Sequence, residues 1–163
     1  MNIKNELTQK IVSLAELTPL VNQWKAQGKK IVFTNGVFDL LHAGHVTYLS
    51  EAASLGDILI IGLNSDASVQ RIKGSERPIN NETTRSTLLG AMFFTDAIVS
   101  FSEDTPLELI KTIMPDVLVK GGDYTVESIA GAKEVLANGG QVKVLTFLPG
   151  YSSTSIINKI KNT

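Results

Sequence analysis

Largely apolar runs recur along the chain, each bounded by polar or glycine-containing segments. They lie at residues 31–33, 58–61, 97–100, 117–119 and 142–145. Consecutive apolar positions, rather than alternating ones, are typical of strands that are covered on both faces. Segments of helical periodicity separate these runs, and a parallel sheet between two helical layers is the architecture that such alternation builds. The pattern therefore predicts an α/β three-layer sandwich with a central parallel sheet of about five strands.

Local signals mark the ends of the predicted helices. Helical segments are expected at residues 13–28, 44–55, 81–94, 127–137 and 153–160, and a further helix begins near residue 105. Ser13 and Glu16 have the spacing of a capping box, in which each side chain accepts a hydrogen bond from the backbone of the other. Thr105 is expected to be the N-cap of its helix, with Pro106 at the first helical position.

Composition and charge narrow the class of protein. Hydrophobic residues make up 43% of the 163-residue chain, which is enough for one folded domain. We predict a single domain over residues 1–163, in which residues 1–28 are an N-terminal extension with a helix. The formal net charge is −1 and no basic run is present, so no nucleic-acid partner is expected. The absence of cysteine excludes disulfides, thiolate nucleophiles and thiolate zinc sites.

No segment has the character of a membrane span or of a signal peptide. The longest apolar run, at residues 58–63, is far shorter than the ~20 residues that cross a bilayer. Residues 1–10 lack the apolar stretch of a secretory signal. These features predict a soluble, cytoplasmic protein with no membrane partner.

Polar and glycine-rich segments follow three of the predicted strands, at residues 34–45, 120–125 and 148–154. Ligands of parallel α/β sheets bind beyond the carboxyl ends of the strands. Because these loops converge at one edge of the sheet, we expect the binding site there. Neither the P-loop pattern Gly-x-x-x-x-Gly-Lys-Ser/Thr nor Gly-x-Gly-x-x-Gly after a strand occurs. P-loop chemistry and dinucleotide binding are therefore not predicted.

The segment at residues 34–45 leads from a strand into a helix and contains both histidines of the chain. A helix start presents unpaired N–H groups and partial positive charge, which suits an anion. Gly36 and Gly44 permit tight turns and close backbone approach. His42 and His45 share a face of the first turn, where both rings can donate to phosphate oxygens and stabilise a departing pyrophosphate. Spacing alone leaves open a structural pair or half of a metal site, although zinc would also need carboxylate ligands.

The same segment, Thr-Asn-Gly-Val-Phe-Asp-Leu-Leu-His-Ala-Gly-His, resembles the opening motif of the cytidylyltransferase-like superfamily, whose signature is His-x-Gly-His after a strand. The resemblance continues in order through residues 63–68, 73–78, 120–124 and 152–157. Over residues 28–161 the chain is similar to the adenylyltransferase family that acts on D-glycero-D-manno-heptose 1-phosphate. We expect it to stand alone, without the sugar kinase to which that domain is often fused.

The resemblance implies a Rossmann-like sheet, a homodimer and an adenylyl transfer. ATP and the heptose 1-phosphate would give ADP-heptose and pyrophosphate, with Mg²⁺ accompanying the nucleotide, and ADP-heptose feeds lipopolysaccharide core synthesis. The second pKa of the acceptor phosphate is near ~6, so this group is largely ionised at neutral pH. In-line attack on the α-phosphorus then needs positioning and charge neutralisation rather than a general base.

Other functions remain compatible with the His-x-Gly-His motif alone. One is a cytidylyltransferase that acts on glycerol 3-phosphate or another small phosphorylated acceptor. Another is a nucleotide-binding module without catalysis. A fragment of an aminoacyl-tRNA synthetase is a third, although the chain lacks a Lys-Met-Ser-Lys-Ser loop and a basic surface.

The resemblance also assigns residues to the reacting phosphates. His42, His45 and Lys120 are expected to be catalytic. The nucleotide is expected to contact Gly36, Val37, Phe38, His42, His45, Ser152, Ser153 and Thr154. Two assignments have simpler alternatives: Lys120 as a solvated lysine at the end of a strand, and Ser153 with Thr154 as plain caps of the last helix.

Acceptor contacts are expected from a second set of polar residues and glycines. This set comprises Asn35, Asp39, Asn64, Asp66, Lys73, Arg77, Arg85, Gly122 and Asp123. Asp39 is expected to orient a histidine, to lie near the sugar or metal, or to stabilise a turn. Asn64, Asp66 and Asp123 suit sugar hydroxyls or, alternatively, loop caps.

The basic members of that set have alternatives of their own. Lys73 and Arg77 flank a glycine and predict either a mobile basic loop over the site or a solvated charged loop. Arg85 is expected to pair with phosphate or to form a surface ion pair. The family usually has Glu-Gln-Arg where this chain has Thr83-Thr84-Arg85. The sequence identifies no metal ligands.

Overall fold

Six parallel strands form one sheet in the computed structural model, which describes residues 3–162. They are β1 (Ile11–Val12), β2 (Ile31–Gly36), β3 (Ile58–Asn64), β4 (Ala97–Phe101), β5 (Val117–Gly121) and β6 (Gln141–Leu145). Their spatial order is β1-β4-β3-β2-β5-β6. The predicted α/β class with a central parallel sheet is confirmed, and the short strand β1 is an addition at the edge beside β4. The predicted domain limits, at residues 1 and 163, lie outside the described residues.

Residues 3–162 also form eight α-helices and one 3-10 helix, which precede, connect and follow the strands. They are α1 (Ile3–Gln9), α2 (Leu14–Ala26), α3 (Ala43–Ala53), α4 (Asp66–Lys73), α5 (Glu82–Gly90), α6 (Leu107–Ile113), the 3-10 helix Val126–Ser128, α7 (Ala132–Ala137) and α8 (Ser153–Lys161). None of the described helices is long and apolar enough to cross a membrane.

Two apolar clusters lie on opposite faces of the sheet. Side chains on successive strand positions point to opposite faces, so each buried strand contributes to both clusters. Ile31 and Phe33 of β2 belong to the cluster that packs against α2, α6 and α7. Val32, between them, belongs to the cluster that packs against α3 and α5. Burial on both faces explains why these strands are apolar at consecutive positions.

The strand order places a topological switch point between β2 and β5. The chain runs from β2 through β3 to β4 on one side of the sheet, then crosses to β5 and β6 on the other. Strand β2 pairs with both β3 and β5. At such a point the loops after the two neighbouring strands diverge and leave a crevice for ligands. The loop after β2 and the end of β5, both singled out in the sequence, meet here.

Several helix boundaries differ from the sequence predictions. The helix expected over residues 81–94 ends at Gly90, and the one expected over residues 127–137 is divided into a 3-10 helix and α7. Gly131 adopts φ +82° at this division, a left-handed conformation that no regular helix contains. The prediction of Thr105 as an N-cap is wrong, because α6 begins one residue later, with Pro106 in the cap position and no side-chain cap.

The capping box predicted at the start of α2 is confirmed. The Ser13 N–H donates to Glu16 Oε2 at 2.8 Å, and the Glu16 N–H donates to Ser13 Oγ at 3.3 Å. Helix α4 was not predicted, because its N-cap Ser65 follows β3 without an intervening loop. Lys73 is the last residue of this helix, so the expected basic loop begins at Gly74 instead.

Candidate active site

The first turn of α3 brings the two histidines together. His42 is the N-cap residue, and its Nδ1 atom accepts a hydrogen bond from the His45 N–H at 3.3 Å. In the neutral imidazole the proton then lies on Nε2, which remains available as a donor. The two rings stack with centroids 3.8 Å apart and planes inclined by 17°. The helix start therefore presents two nearly parallel imidazole rings on one face.

Gly36 and Gly44 are required by the side chains that pack against them. A Cβ on Gly44 would lie 3.0 Å from His42 Nδ1 and 3.0 Å from the Cβ of Tyr151. A Cβ on Gly36 would lie 2.8 Å from the Phe38 ring. Phe38 adopts φ 47°, and its ring meets the His45 ring edge-on with centroids 5.4 Å apart. The glycines therefore let aromatic rings close over the backbone of this loop.

The surroundings of both histidines lower their pKa values and so favour the neutral rings. Burial lowers the pKa of His42 below its ordinary value. Burial and repulsion from His42 lower the pKa of His45 to about 4, and the Leu40 carbonyl opposes this shift. The Nδ1 atom of His45 is buried and makes no hydrogen bond of acceptable geometry within residues 3–162. A bound anion would raise both pKa values, because it stabilises the charged form of each ring.

Lys120 lies near the end of β5, next to the end of β2. Its Nζ donates to Asn35 Oδ1 at 3.2 Å and lies 5.6 Å from the centroid of the Tyr124 ring. Burial lowers the pKa of this ammonium below its ordinary value. The alternative of a fully solvated lysine is therefore wrong, since the side chain is half-buried at the switch point.

The N-terminus of α8 faces the same crevice. Ser152 is its N-cap and accepts from the Ser155 N–H at 2.9 Å. The alternative in which Ser153 and Thr154 are plain caps of this helix is wrong, because the N-cap is Ser152 and the Ser153 hydroxyl donates to the Leu40 carbonyl at 2.9 Å. This bond joins α8 to the loop before His42. Two helix N-termini therefore direct their positive ends toward one site.

A cavity of about 540 Å³, hereafter the first cavity, opens between these elements. Its volume is within the range of small-molecule sites. Every residue predicted to contact the nucleotide lines this cavity, and Lys120 lines it too. Six of the residues predicted to contact the acceptor also line it. These six are Asn35, Asp39, Lys73, Arg77, Gly122 and Asp123. The structure thus unites most of the predicted set in one place.

A second cavity of about 340 Å³ adjoins the first. The two share six lining residues: Asn35, Gly36, Val37, Lys73, Lys120 and Tyr124. Asn64 lines the second cavity and donates to Ser68 Oγ at 3.0 Å. Asp104, Thr105 and Ser128 contribute further polar groups to this wall. Lys120 therefore borders both spaces.

Asp39 fastens the segment 77–80 to the loop after β2. Its carboxylate accepts from Arg77 Nε at 2.6 Å, from the Ile79 N–H at 2.9 Å and from the Asn80 N–H at 2.8 Å. Burial alone would raise the pKa of Asp39, but the N–H groups of Asn80 and Ile79 and the Arg77 guanidinium outweigh it and lower the pKa. None of these hydrogen bonds reaches a histidine. Of the roles expected for Asp39, these contacts therefore support the structural one.

Arg85 is fully buried, which corrects the expectation of a surface ion pair. Its guanidinium donates to the Asn80 carbonyl at 3.0 Å, to the Val37 carbonyl at 2.7 Å and to Asp66 Oδ1 at 2.7 Å. Neither Arg85 nor Asp66 lines either cavity. Arg85 supports the loop after β2 from behind and does not face either cavity, because its guanidinium donates to these three acceptors.

Four aromatic residues of the first cavity were missed by the sequence interpretation. They are Tyr48, Tyr124, Phe147 and Tyr151. Tyr48 hydrogen-bonds Thr34 Oγ1 at 2.6 Å through its hydroxyl, and burial raises the pKa of Tyr48 to about 12. The other three rings are close to half-exposed, at 47%, 47% and 49%. Tyr124 and Tyr151 lie within the polar segments 120–125 and 148–154, from which the site was predicted, so their position in the sequence could have identified them.

The switch point of this parallel α/β sheet carries two helix N-termini, two histidines and a lysine. Such a site is typical of a phosphate-binding domain of the nucleotidyltransferase type. The family model described as Cytidylyltransferase-like matches residues 33–159. The chain belongs to this family and is a nucleotidyltransferase.

Relatives of high sequence identity are longer proteins, of which the chain matches one part. It is 58% identical over 151 residues to the bifunctional protein HldE of Haemophilus influenzae (strain PittEE), covering 93% of this chain and 32% of that protein. It is 53% identical over 152 residues to the bifunctional protein HldE of Geotalea uraniireducens, covering 93% and 31%. The chain thus spans about a third of the length of these curated relatives.

Two solved structures share the fold. A lipopolysaccharide core biosynthesis protein from Thermoplasma volcanium GSS1 superposes with a TM-score of 0.59 at 29% identity, covering 74% of this chain and 98% of that one. A pantoate-beta-alanine ligase from Francisella tularensis superposes with a TM-score of 0.60 at 16% identity, covering 94% and 78%. The second likeness shows the fold alone.

Proposed function

We propose that the protein is an adenylyltransferase that joins ATP to D-glycero-D-manno-heptose 1-phosphate, giving ADP-heptose and pyrophosphate. The observation that carries this proposal is the stacked pair of His42 and His45 at a helix N-terminus that opens into the first cavity. The motif resemblance over residues 28–161 and the similarity to HldE support the heptose acceptor. The likeness to the lipopolysaccharide core biosynthesis protein of Thermoplasma volcanium GSS1 is consistent with this acceptor.

The first cavity would hold the triphosphate of ATP. The Nε2 atom of His42 and the ring of His45 lie beside the N-termini of α3 and α8, so donors and positive helix ends would surround the phosphates. Lys73 also lines this cavity and would add positive charge, whereas the charge of Arg77 is paired with Asp39. These groups act as preorganised donors, and they would stabilise the negative charge that accumulates on pyrophosphate as it leaves.

The second cavity would hold the heptose phosphate. Its polar wall, with Asn64, Thr105 and Ser128, offers donors and acceptors for sugar hydroxyls. Lys120 borders both cavities and would draw the acceptor phosphate toward the α-phosphorus. An oxygen of the acceptor phosphate then forms a bond to that phosphorus. The bond from the α-phosphorus to its bridging oxygen breaks, and pyrophosphate departs with the electron pair.

Mg²⁺ is proposed to enter bound to the nucleotide. Within residues 3–162 no group of three or more His, Asp or Glu side chains is arranged to hold a metal ion. Mg²⁺ needs no such group, because it commonly takes one or two carboxylates and completes its coordination with phosphate oxygens and water. Asp123, which lines the first cavity, would offer a carboxylate, whereas Asp39 is engaged by its own partners. When bound, the ion would neutralise phosphate charge.

Two further properties belong to the proposal. The reaction would take place in the cytoplasm, where ATP and phosphorylated sugars are supplied. The protein would be a homodimer, as the family resemblance implies. Light scattering after gel filtration should give twice the 17.6 kDa of the chain, and a monomer mass would refute the dimer.

Pyrophosphate release across a matrix of substrates tests the function. ATP, CTP, GTP and UTP would each be combined with heptose 1-phosphate, other sugar 1-phosphates and glycerol 3-phosphate. We expect release with ATP and heptose 1-phosphate. Release with only CTP and glycerol 3-phosphate would refute the acceptor while keeping the reaction class, and nucleotide binding without any release would indicate a non-catalytic module.

A further inference from the structure

Tyr151 packs against the histidine pair from the loop before α8. Its ring faces the His42 ring with centroids 6.1 Å apart and planes inclined by 29°. Its Cβ lies 3.0 Å from the position that a Cβ on Gly44 would occupy, so it covers the first turn of α3 directly. Two rings therefore stack on His42: that of His45 tightly and that of Tyr151 more loosely.

The neighbours of Tyr151 hold it in this place. Ser152, the next residue, is the N-cap of α8, and the Ser153 hydroxyl donates to the Leu40 carbonyl at 2.9 Å. These contacts connect the loop of Tyr151 to the loop that carries His42. The position of the ring is therefore determined by the same elements that form the phosphate site.

The orientation of the His42 ring depends on such packing. Its one hydrogen bond within the described residues, from the His45 N–H to Nδ1, is 3.3 Å long, which is longer than the usual 2.9–3.0 Å. A single long hydrogen bond leaves the ring free to tilt about it. Stacked neighbours restrict that tilt, because near-parallel aromatic rings attract each other in a preferred geometry.

We propose that Tyr151 is a positioning residue, whose ring holds the His42 imidazole in the plane that directs Nε2 toward the phosphates of the nucleotide. The role of His42 in this inference rests on the proposed function, whereas the stacking of Tyr151 on His42 does not. The aromatic ring carries this role and the hydroxyl does not, since the contact is between ring faces. Tyr151→Phe should therefore preserve it and Tyr151→Ala should remove it.

Proton NMR of the imidazole rings tests the stacking without any substrate. The chain has two histidines, so His42→Asn and His45→Gln assign both sets of signals. In Tyr151→Ala, the carbon-bound protons of His42 should move downfield, because the ring current of Tyr151 is lost. Tyr151→Phe should keep the wild-type shifts, and so should Phe93→Ala, which removes an aromatic ring that is 92% exposed and outside both cavities. Unchanged His42 shifts in Tyr151→Ala would overturn the proposal.

Kinetics test the consequence of the stacking. Tyr151→Ala should lower kcat by roughly 10- to 100-fold, the range expected for a misplaced catalytic group. Its KM for ATP should change by less than about threefold, because the effect lies in the transition state. A raised KM with normal kcat would overturn the proposal and indicate direct stacking on the nucleotide. Normal kcat and normal KM would overturn it as well.

The two hypotheses can fail separately. If the wild-type protein releases no pyrophosphate with any substrate pair, the proposed function fails. Sodium pyrophosphate then serves as the probe: at saturation it should shift the His42 signals of the wild type and of Tyr151→Phe, and it should shift them less in Tyr151→Ala, where the ring no longer points at the anion. Equal shifts in the two variants at saturation would overturn the positioning role, whatever the reaction.

Discussion

At the scale of single residues, His42 combines a structural and a chemical task. Its Nδ1 caps α3 by accepting from the His45 N–H, while its Nε2 remains free to donate. Asparagine is a favourable N-cap residue but is too short to reach a ligand in the way an imidazole does. The two tasks can therefore be separated by substitution.

We predict that His42→Asn abolishes most turnover and leaves stability nearly unchanged. The loss of one donor to the developing charge should lower kcat by about 10²- to 10³-fold. The retained cap should keep the free energy of unfolding within ~0.5 kcal/mol of wild type, whereas His42→Ala should lose a further ~1 kcal/mol. Pyrophosphate release and urea unfolding measure the two effects. Near-normal turnover in His42→Asn would contradict the assigned role.

His45 should make stability depend on pH in a defined window. Its pKa is about 4 in the folded protein against an ordinary value of 6.5. Between pH 6.5 and pH 4 the imidazole of His45 is protonated in the unfolded chain but neutral in the folded protein. Protonation therefore stabilises the unfolded chain, and the free energy of unfolding falls as pH is lowered from 6.5 to about 4, below which it levels off. The lowered pKa of Asp39 acts in a lower window, below its ordinary 3.8.

The control for this pH dependence is His45→Gln. Urea unfolding midpoints of both proteins should be compared between pH 7 and pH 4. The wild type should lose more stability than the variant over this interval, because the variant lacks the titrating ring. Parallel curves for the two proteins would show that His45 is not buried as a neutral group.

At the scale of elements, the loop after β2 is supported from behind by α5 and by the segment 77–80. Asp39 binds that segment, and Arg85 of α5 binds the Val37 carbonyl. The Arg85 side chain is fully buried, so its charge is held within the protein and not in solvent. The conformation of the loop is therefore set by residues distant in sequence.

We predict that Asp39→Asn is strongly destabilising. The change leaves Arg77, whose side chain is 16% exposed, without its counter-charge, and should cost about 2–4 kcal/mol. A double-mutant cycle with Arg77→Gln should give a coupling energy of about 1–3 kcal/mol. The matched control is Asp104→Asn, whose pair with Arg71 is exposed and should contribute under ~1 kcal/mol. Equal effects of the two aspartate substitutions would contradict the prediction.

Substitutions at Gly131 and Gly139 distinguish the cost of backbone strain from the cost of a steric clash. Gly131 and Gly139 both adopt φ +82°, but a Cβ on Gly131 would lie 2.7 Å from Ile110, whereas a Cβ on Gly139 meets nothing within 4 Å. Gly139→Ala should cost about 1 kcal/mol for backbone strain alone. Gly131→Ala should cost about 1–3 kcal/mol more, because α6 must shift. Thermal unfolding compares them, and equal costs would show that Ile110 yields freely.

At the scale of the whole molecule, the switch point brings together residues from three distant parts of the chain. The start of α3 supplies the histidines, β5 supplies Lys120 and the start of α8 supplies Ser152. A ligand that bridges these elements should stabilise the folded state as a unit, since none of them forms the site alone.

We predict that ATP with Mg²⁺ raises the thermal unfolding midpoint. At about 100 times its Kd, a ligand adds ~2.7 kcal/mol to the free energy of unfolding. The shift should be smaller in His42→Asn, and excess chelator should abolish turnover. Full activity in chelator would refute the Mg²⁺ requirement.

Most of the nucleotide site could be predicted because its residues cluster in loops that directly follow apolar strands. His42 and His45 lie at the end of the loop that follows β2, Lys120 lies near the end of β5, and all three line the first cavity. Arg85 and Asp66 were assigned to the acceptor, but they pair with each other outside both cavities, and spacing along the chain does not reveal such a contact. Helix α4 was missed because β3 runs into its cap without a loop.

The sequence by itself determined the alternation of buried strands and helices, and with it the edge of the sheet where the site lies. The hydrophobic periodicity and the residues that begin a helix are local features of the sequence, so they can be predicted without the tertiary structure. Only the tertiary structure decided that Asp39 and Arg85 support the loop, that Lys120 borders two cavities and that Tyr151 lies on His42. These contacts join residues far apart in the chain, and they exist only once the sheet order has brought β2, β5 and α8 together.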